Sequence, residues 1–194
     1  MNIRKASAND INSVVHIHLG RFSSFFLTSL GDSFLKAFYR AFLKSPGILL
    51  VLEDENVIKG FAAGNSSNSS FFKKLLMNNF FEFSIEGMRI LLTKPTALKR
   101  LAINAGKSEK IKFTFAELLS IATEKNTKGY GKLLLQAFEN EISTVNNELT
   151  PISLTTDFDD NEKAVKFYLD SGYQIEQVFE SYNGRKMYRF IKYK

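Results

Sequence analysis

A glycine-containing turn between two apolar segments is the part of the sequence that most clearly suggests a chemistry. Residues 124–132 join the apolar run 113–123 to a second apolar segment that begins at Leu133. A strand, a turn and a helix in this order direct the unpaired N–H groups and the positive dipole end of the helix start at an anion. Gly129 and Gly131 would let the backbone approach that anion closely. The segment predicts a site for a phosphate-bearing ligand, although a plain strand-to-helix connection also fits these residues.

Two common phosphate-binding loops do not match this turn. A P-loop requires a serine or threonine after its lysine, where the hydroxyl holds magnesium, but Leu133 follows Lys132. The dinucleotide-binding fingerprint requires a third glycine for close packing of helix on strand, and Leu134 occupies that position. The turn therefore predicts phosphate binding of another kind.

The composition is that of a globular protein. The chain has 194 residues, 44% of them apolar, which predicts one domain with a sizeable core and argues against disorder. The absence of cysteine excludes disulfides and thiolate chemistry. The sequence shows neither the apolar run of a signal peptide nor eighteen consecutive apolar residues, so we expect a cytoplasmic protein without an integral membrane segment.

The net charge of +6 is concentrated in residues 66–112, which hold nine lysines and arginines against three acids. This local excess predicts an anionic partner near that segment rather than general nucleic-acid binding. His16 and His18 are two residues apart on a predicted helix, so they face different directions and cannot chelate one metal. We therefore expect no metal site.

The periodicity of the apolar residues predicts one mixed α/β domain with the order β-α-α-β-β, insertion, β-α-β-α-β-β. The predicted helices cover about 7–18, 28–43, 129–146 and 161–171. The predicted strands cover 3–6, 48–53, 57–63, 111–123 and 152–156, followed by a hairpin of 173–181 and 185–193. The insertion is predicted to be helical over 71–105.

Two motifs in this order resemble those of the GNAT superfamily of acyl-CoA N-acyltransferases. Residues 126–131 are similar to the acyl-CoA motif Gln/Arg-x-x-Gly-x-Gly/Ala, with Asn126 at the first position. Asn126 can donate a hydrogen bond to a phosphate but lacks the charge and reach of arginine. Residues 161–173 are similar to the family's N-x-x-A-x-x-F-Y-x-x-x-G-F/Y segment. The resemblance covers nearly the whole chain apart from 66–112.

The resemblance implies a fold and a set of acetyl-CoA contacts. The implied fold is a single three-layer α/β domain over 1–194, with a mixed central sheet splayed between the fourth and fifth strands and a basic helical insertion at 66–112 before the fourth strand. The main chain of Leu119, Ile121 and Ala122 would follow the pantetheine arm. The turn would hold the diphosphate through Asn126, Thr127, Lys128, Gly129, Tyr130, Gly131 and Lys132. The same apolar strand residues could simply be core, and the lysines could be solvated surface.

The resemblance also implies roles for residues of the later segment. Tyr168 stands where many GNAT enzymes place the general acid that protonates the departing CoA thiolate, and it would also contact the cofactor. A core aromatic role is the alternative. Asn161 would hydrogen-bond the pantetheine or the diphosphate, although it could equally be the N-cap of the helix that follows.

Glu117 is a candidate general base because it interrupts an apolar run in the predicted fourth strand. In the family this strand borders the acceptor site. A carboxylate there could deprotonate an acceptor ammonium directly or through water, helped by a pKa that burial raises. The alternatives are a glutamate that faces solvent or one that only binds the acceptor.

These features predict an acetyl-CoA-dependent N-acetyltransferase without a metal, in which a small-molecule primary amine attacks the thioester directly. The basic insertion would wall the acceptor cleft, which suits an anionic acceptor such as a nucleotide-linked amino sugar. Its apolar residues could instead pack on the domain or form a homodimer interface. A GNAT-fold protein that binds CoA without chemistry and a peripheral membrane-surface module stay open as alternatives.

Overall fold

The computed structural model describes residues 1–23, 25–67, 114–146, 150–181 and 184–193. The strands are β1 (Asn2–Lys5), β2 (Gly47–Asp54), β3 (Val57–Asn65), β4 (Ala116–Thr123), β5 (Ile152–Asp157), β6 (Gln174–Glu180) and β7 (Lys186–Lys192). The helices are α1 (Ile11–Arg21), α2 (Phe26–Ser29), α3 (Asp32–Ala41), α4 (Tyr130–Asn146) and α5 (Glu162–Asp170), and a single 3-10 turn (Ala8–Asp10) precedes α1.

The seven strands form one mixed sheet in the order β1-β2-β3-β4-β5-β7-β6. The pairing of β4 with β5 is parallel, and the other pairings are antiparallel. Helix α4 and its connections supply the crossover that a parallel pair needs. This architecture confirms the predicted mixed α/β fold with its splay between the fourth and fifth strands.

Two apolar clusters cover the two faces of the sheet. One cluster joins α1 and α3 to one face through residues such as Val51 and Phe61, and the other joins α4 and α5 to the opposite face through residues such as Leu52 and Phe138. Because β2 is buried on both faces, its sequence is a continuous apolar run rather than an alternating one. The domain therefore has three layers, with β4 near the middle of the sheet.

The predicted single helix over 28–43 is wrong in one respect, because the structure divides it into α2 and α3. Gly31 lies between them with a φ of +96°, in the left-handed region that an α-helix cannot include. The apolar pattern that predicted this helix consists of Phe34, Leu35, Phe38, Tyr39 and Phe42. All five follow Gly31, so the pattern predicted α3 and gave no information on the break before it. The other described helices and strands lie where the periodicity predicted them, within a few residues at their ends.

The predicted helical insertion lies almost wholly outside the described residues, which end at Ser67 and resume at Thr114. The first residues of the predicted fourth strand, 111–113, lie outside them as well, and the described strand begins at Ala116. Among the described helices, none has the length and apolar character needed to cross a membrane.

Candidate active site

Strand β4 is paired very differently along its two edges. Its pairing with β3 extends from Glu117 to Thr123, whereas its pairing with β5 includes only Ala116, Glu117 and Leu118. Both β4 and β5 continue beyond Leu118 and its partner Leu154, and both lie entirely within the described residues. The two strands therefore separate after Leu118 and leave the second half of β4 with an open edge.

A β-bulge lies at the point where the strands separate. Leu118 pairs with Gly64 and Ser120 pairs with Ala63, so Leu119 has no partner in β3. An extra residue of this kind bends its strand and increases the local twist. The bulge thus gives a physical reason why β4 turns away from β5 immediately after Leu118.

The register shows which backbone groups of β4 point to the open edge. The N–H of Glu124 donates to the carbonyl of Lys59 at 2.8 Å, which makes these residues a hydrogen-bonded pair of the β3–β4 ladder. Because such pairs alternate along an antiparallel ladder, Ala122 directs its N–H and C=O at β3. Ile121 and Thr123 direct theirs at the open edge. The backbone groups that a ligand at this edge could reach are thus those of Ile121, which the sequence reasoning named, and of Thr123, which it did not name, whereas those of Ala122 face β3.

The turn at the end of this edge is held by local interactions. Asn126 and Gly129 have φ values of +65° and +87°, and the hydroxyl of Thr127 donates to the carbonyl of Glu124 at 2.7 Å. Helix α4 begins at Tyr130, and the N–H of Leu133 donates to the carbonyl of Gly129 at 3.2 Å. A Cβ placed on Gly129 would meet nothing within 4 Å, so this glycine borders open space. The turn therefore exposes the start of a helix in the way that anion binding requires.

Cationic side chains surround this turn. An open groove is lined by residues 123–128 and by Arg21 at the end of α1. Lys125, Lys128 and Lys132 are exposed along the same segment. Arg21 is more than one hundred residues away in sequence, and no local motif marks it, so only the fold reveals its place beside the predicted diphosphate site.

The first two residues of α4, Tyr130 and Gly131, differ in the contacts that the structure gives them. The hydroxyl of Tyr130 donates to the carboxylate of Asp54 at 2.6 Å, which ties the start of α4 to the β2–β3 turn. A Cβ on Gly131 would lie 3.9 Å from the ring of Phe167 on α5, an ordinary contact distance. Any contact of Tyr130 with a ligand would therefore be made by its backbone.

Asn161 connects α5 to the far side of the gap. Its side-chain nitrogen donates to the hydroxyl of Thr156 at 2.6 Å and to the carbonyl of Asp157 at 3.0 Å, at the end of β5. Asn161 occupies the N-cap position of α5, but its side chain makes no capping hydrogen bond. The side chain thus anchors the helix to the end of β5.

Tyr168 is buried on the α4 and α5 face of the sheet. Its ring packs against Phe167, Tyr173 and Phe190 within the apolar cluster that also contains Leu118. Burial raises the pKa of Tyr168 to about 12, so the phenol keeps its proton at neutral pH. This protonation state is the one that a proton donor requires.

Glu117 lies on the opposite face of β4. Its neighbours Ala116 and Leu118 belong to the α4 and α5 cluster, so strand alternation directs the Glu117 side chain toward the α1 and α3 side. The side-chain nitrogen of Asn65 donates to its carboxylate at 3.5 Å. Desolvation raises the pKa of Glu117, against the lowering effects of this hydrogen bond and of the positive charge on Arg189. Glu117 and Tyr168 thus belong to opposite faces of the sheet, and neither Asn65 nor Arg189 was identified from the sequence.

Comparisons with known proteins bear on the fold. No protein-family model matches the sequence. No curated protein matches it either. Among solved structures, the chain is similar over its whole length to a ribosomal-protein-alanine N-acetyltransferase from Brucella melitensis, with a TM-score of 0.64, 14% identity and 100% of that chain covered.

Two further solved structures show the same likeness. One is an aminoglycoside 6'-acetyltransferase type Ii, with a TM-score of 0.63, 16% identity, and 100% of this chain and 97% of that chain covered. The other is a GNAT-family acetyltransferase from Bacillus cereus, with a TM-score of 0.57, 17% identity, and 100% of this chain and 96% of that chain covered. The chain therefore has the GNAT fold.

Proposed function

We propose that this protein is an N-acetyltransferase that transfers the acetyl group of acetyl-CoA to a primary amine. The observation that carries the proposal is the open edge of β4, which leads directly into the exposed start of α4. One such edge can pair with the two amides of a pantetheine arm, and the helix start can bind the diphosphate at its end. The order of these two features along the chain matches the order of the two groups in CoA.

The residues of the turn fit the proposed ligand. The backbone of Ile121 and Thr123 would bind the pantetheine, and the segment from Asn126 to Lys132 would bind the diphosphate. Arg21 lines the same groove and would add a charge that Asn126 does not provide. Among the described residues, no group of histidine and acidic side chains could hold a metal.

The two faces of β4 supply the proposed chemistry. A backbone N–H on the open edge would stabilise the negative charge that develops on the thioester oxygen. Glu117 would take a proton from the acceptor amine on the α1 and α3 side, directly or through water. Tyr168, on the other face, would donate a proton to the departing thiolate. The amine would attack directly while both substrates are bound.

The acceptor in this proposal is an anionic small molecule, such as a nucleotide-linked amino sugar. The positive charge of Arg189 lowers the pKa of Glu117, so an amine acceptor bound at Glu117 would lie in a region of positive potential. The nine basic and three acidic residues of 66–112 also suit an anionic acceptor. The printed names of the similar structures include an aminoglycoside acetyltransferase and a ribosomal-protein-alanine acetyltransferase, so the fold is compatible with unlike acceptors.

The test is acetyl-CoA binding by two matched glycine variants, with release of free thiol as the measure of transfer. Gly129 and Gly184 both have positive φ values, of +87° and +73°, and both border open space. Aspartate at either position therefore carries the same backbone strain. We expect Gly129→Asp to weaken acetyl-CoA binding about 30-fold through repulsion of the diphosphate, whereas Gly184→Asp, on the β6–β7 hairpin, should bind normally.

The outcomes separate the proposal from its rivals. Equal binding by both variants would mean that the turn does not bind the cofactor. Tight binding by the unmodified protein without thiol release, across a broad panel of amine acceptors, would instead favour a protein that binds CoA without catalysing transfer.

A further inference from the structure

A buried chain of hydrogen bonds connects α1, α3 and β4 and takes no part in the proposed chemistry. The Nδ1 atom of His18 lies 2.7 Å from the hydroxyl oxygen of Tyr39, which lies 3.3 Å from the hydroxyl oxygen of Ser120. At the other end, the Nε2 atom of His18 lies 3.1 Å from the hydroxyl of Thr28, which donates to the carbonyl of Phe22. His18 and Tyr39 are 3% and 0% exposed, so solvent does not substitute for these contacts.

The chain ends beside the bulge of β4. Ser120 directly follows Leu119, the residue without a partner in β3, and precedes Ile121, the first residue that directs its N–H at the open edge. The side chain of Ser120 gives this segment a hydrogen bond to the α1 and α3 layer, in addition to the apolar contacts of Leu119 and Ala122 with that layer. A bulge leaves one residue outside the ladder and bends its strand. A buried, fully hydrogen-bonded side chain next to the bulge makes the backbone there more rigid.

The carbonyl of Phe22 determines which partner donates at each contact. Because the Thr28 hydroxyl gives its only proton to that carbonyl, its oxygen can only accept from His18, and Nε2 must carry a proton. Burial lowers the pKa of His18 to about 4, so the ring is neutral at pH 7 and Nδ1 accepts from Tyr39. The Ser120 hydroxyl is then left to donate to Tyr39, and every member of the chain has a partner.

We propose that Tyr39 and His18 are positioning residues that hold Ser120, and with it the bulge at Leu119, in the geometry in which the open edge of β4 receives the thioester. This inference rests on the proposed acetyl transfer. A displacement of a reacting group by about 1 Å can cost two orders of magnitude in rate. Loss of the anchor should therefore affect the chemical step more than cofactor binding, because the turn that binds the diphosphate begins beyond the anchored segment.

The first test is the protonation of His18, which does not require turnover. Nitrogen NMR of the full-length protein at pH 7 should show a neutral ring with its proton on Nε2. His16 is exposed and is the only other histidine, so a His16→Gln variant assigns the signals. Tyr39→Phe should shift the Nδ1 resonance and the amide resonance of Ile121. An imidazolium, a proton on Nδ1, or an unchanged Ile121 amide would overturn the proposal.

The second test separates positioning from stability. Tyr39→Phe and Ser120→Ala should each lower kcat about tenfold, with the KM for acetyl-CoA changed less than about twofold, because both remove the anchor and leave the turn intact. Phe34→Leu is the control, since Phe34 is a buried residue of α3 outside the chain. It should destabilise the protein and leave kcat per folded molecule unchanged. Unchanged kcat in the two anchor variants, or an equal fall in the control, would contradict the proposal.

The two tests also distinguish this inference from the proposed function. If the unmodified protein releases no thiol with any acceptor, the function fails on that result alone. In that case NMR of Tyr39→Phe, with Phe34→Leu recorded as its control, still decides whether the chain anchors the bulge. If transfer occurs and Tyr39→Phe behaves like the control in both measurements, only the positioning role is lost.

Discussion

The two edges of β4 show how one strand can serve both the core and a binding site. Along β3 the strand is paired as far as Thr123, and along β5 it is paired only as far as Leu118. Both edges belong to the same residues of β4. The difference in pairing therefore arises from the bulge at Leu119, which bends β4, and from the direction in which β5 separates from β4. A binding edge is thus made by ending one ladder early while the other continues.

The closed edge of β4, along which it pairs with β3, has to stabilise the open edge, along which it separates from β5. Unpaired backbone groups in a sheet cost free energy unless water or a ligand satisfies them. The pairing with β3 and the apolar clusters on both faces hold the second half of β4 in place despite this cost. Changes on the closed edge should therefore reduce stability, and changes on the open edge should reduce activity.

Gly64→Ala should give the largest effect and should fall on stability. A Cβ at Gly64 would lie 2.2 Å from the carbonyl oxygen of Glu117 and 2.6 Å from the ring of Phe138, so β3 and β4 would have to separate. We expect a loss of about 3 kcal/mol in the free energy of unfolding, measured with urea.

Gly20→Ala is the matched control for that change. Gly20 lies within α1, and a Cβ there would meet nothing within 4 Å. Alanine should stabilise the helix by about 1 kcal/mol. A loss of stability similar to that of Gly64→Ala would show that the closed edge is not under the constraint inferred from the register.

Glu117→Gln should lower activity and raise stability. Loss of a general base should reduce kcat about 100-fold. Because the folded pKa of Glu117 lies above its ordinary value of 4.5, its contribution to stability is fully present below pH 4.5 and is lost as the pH rises through the folded pKa. Glutamine removes this loss, so the variant should be more stable than the unmodified protein at pH 8 and not at pH 4. An unchanged kcat in this variant would show that Glu117 is not a general base and contributes only to packing.

Of the three substitutions Gly64→Ala, Glu117→Gln and Tyr168→Phe, we expect Tyr168→Phe to have the smallest effect. The ring packing remains, so the free energy of unfolding should change little. Because a thiolate needs only modest help to leave, we expect a roughly tenfold fall in kcat, which steady-state kinetics with free-thiol detection would measure. Normal turnover would leave Tyr168 as a core aromatic, the alternative reading of its sequence motif.

The sequence predicted the helices and strands better than it predicted how they pair and pack against one another. The apolar periodicity predicted β4 and α4, which the structure confirms, and the two glycines predicted an anion site at the turn, because these signals are local. The early end of the β4–β5 pairing depends on contacts between distant segments and leaves no mark in the sequence of β4, so only the family resemblance predicted it. Only the register shows that the N–H and C=O of Ala122 face β3 and that those of Thr123 face the open edge.

Side chains that act across the fold were missed for the same reason. Arg21 lies in a helix far from the turn in sequence, and nothing in its surroundings distinguishes it from other surface arginines. The sequence reasoning considered His18 only together with His16 as a metal-chelating pair, because its hydrogen bond to Tyr39 depends on how α1 and α3 pack together. The break at Gly31 was missed because the apolar pattern that predicted the helix begins only at Phe34 and gives no information on the residues before it.

Amide exchange along β4, with and without acetyl-CoA, tests most directly whether the open edge is the cofactor site. Before acetyl-CoA is added, the amides of Ser120 and Ala122 should be protected, because they face β3, and those of Ile121 and Thr123 should exchange rapidly. Acetyl-CoA should protect Ile121 and Thr123 and leave the other two unchanged. Continued rapid exchange at Ile121 and Thr123 in a saturated complex would contradict the proposal that this edge binds the pantetheine arm.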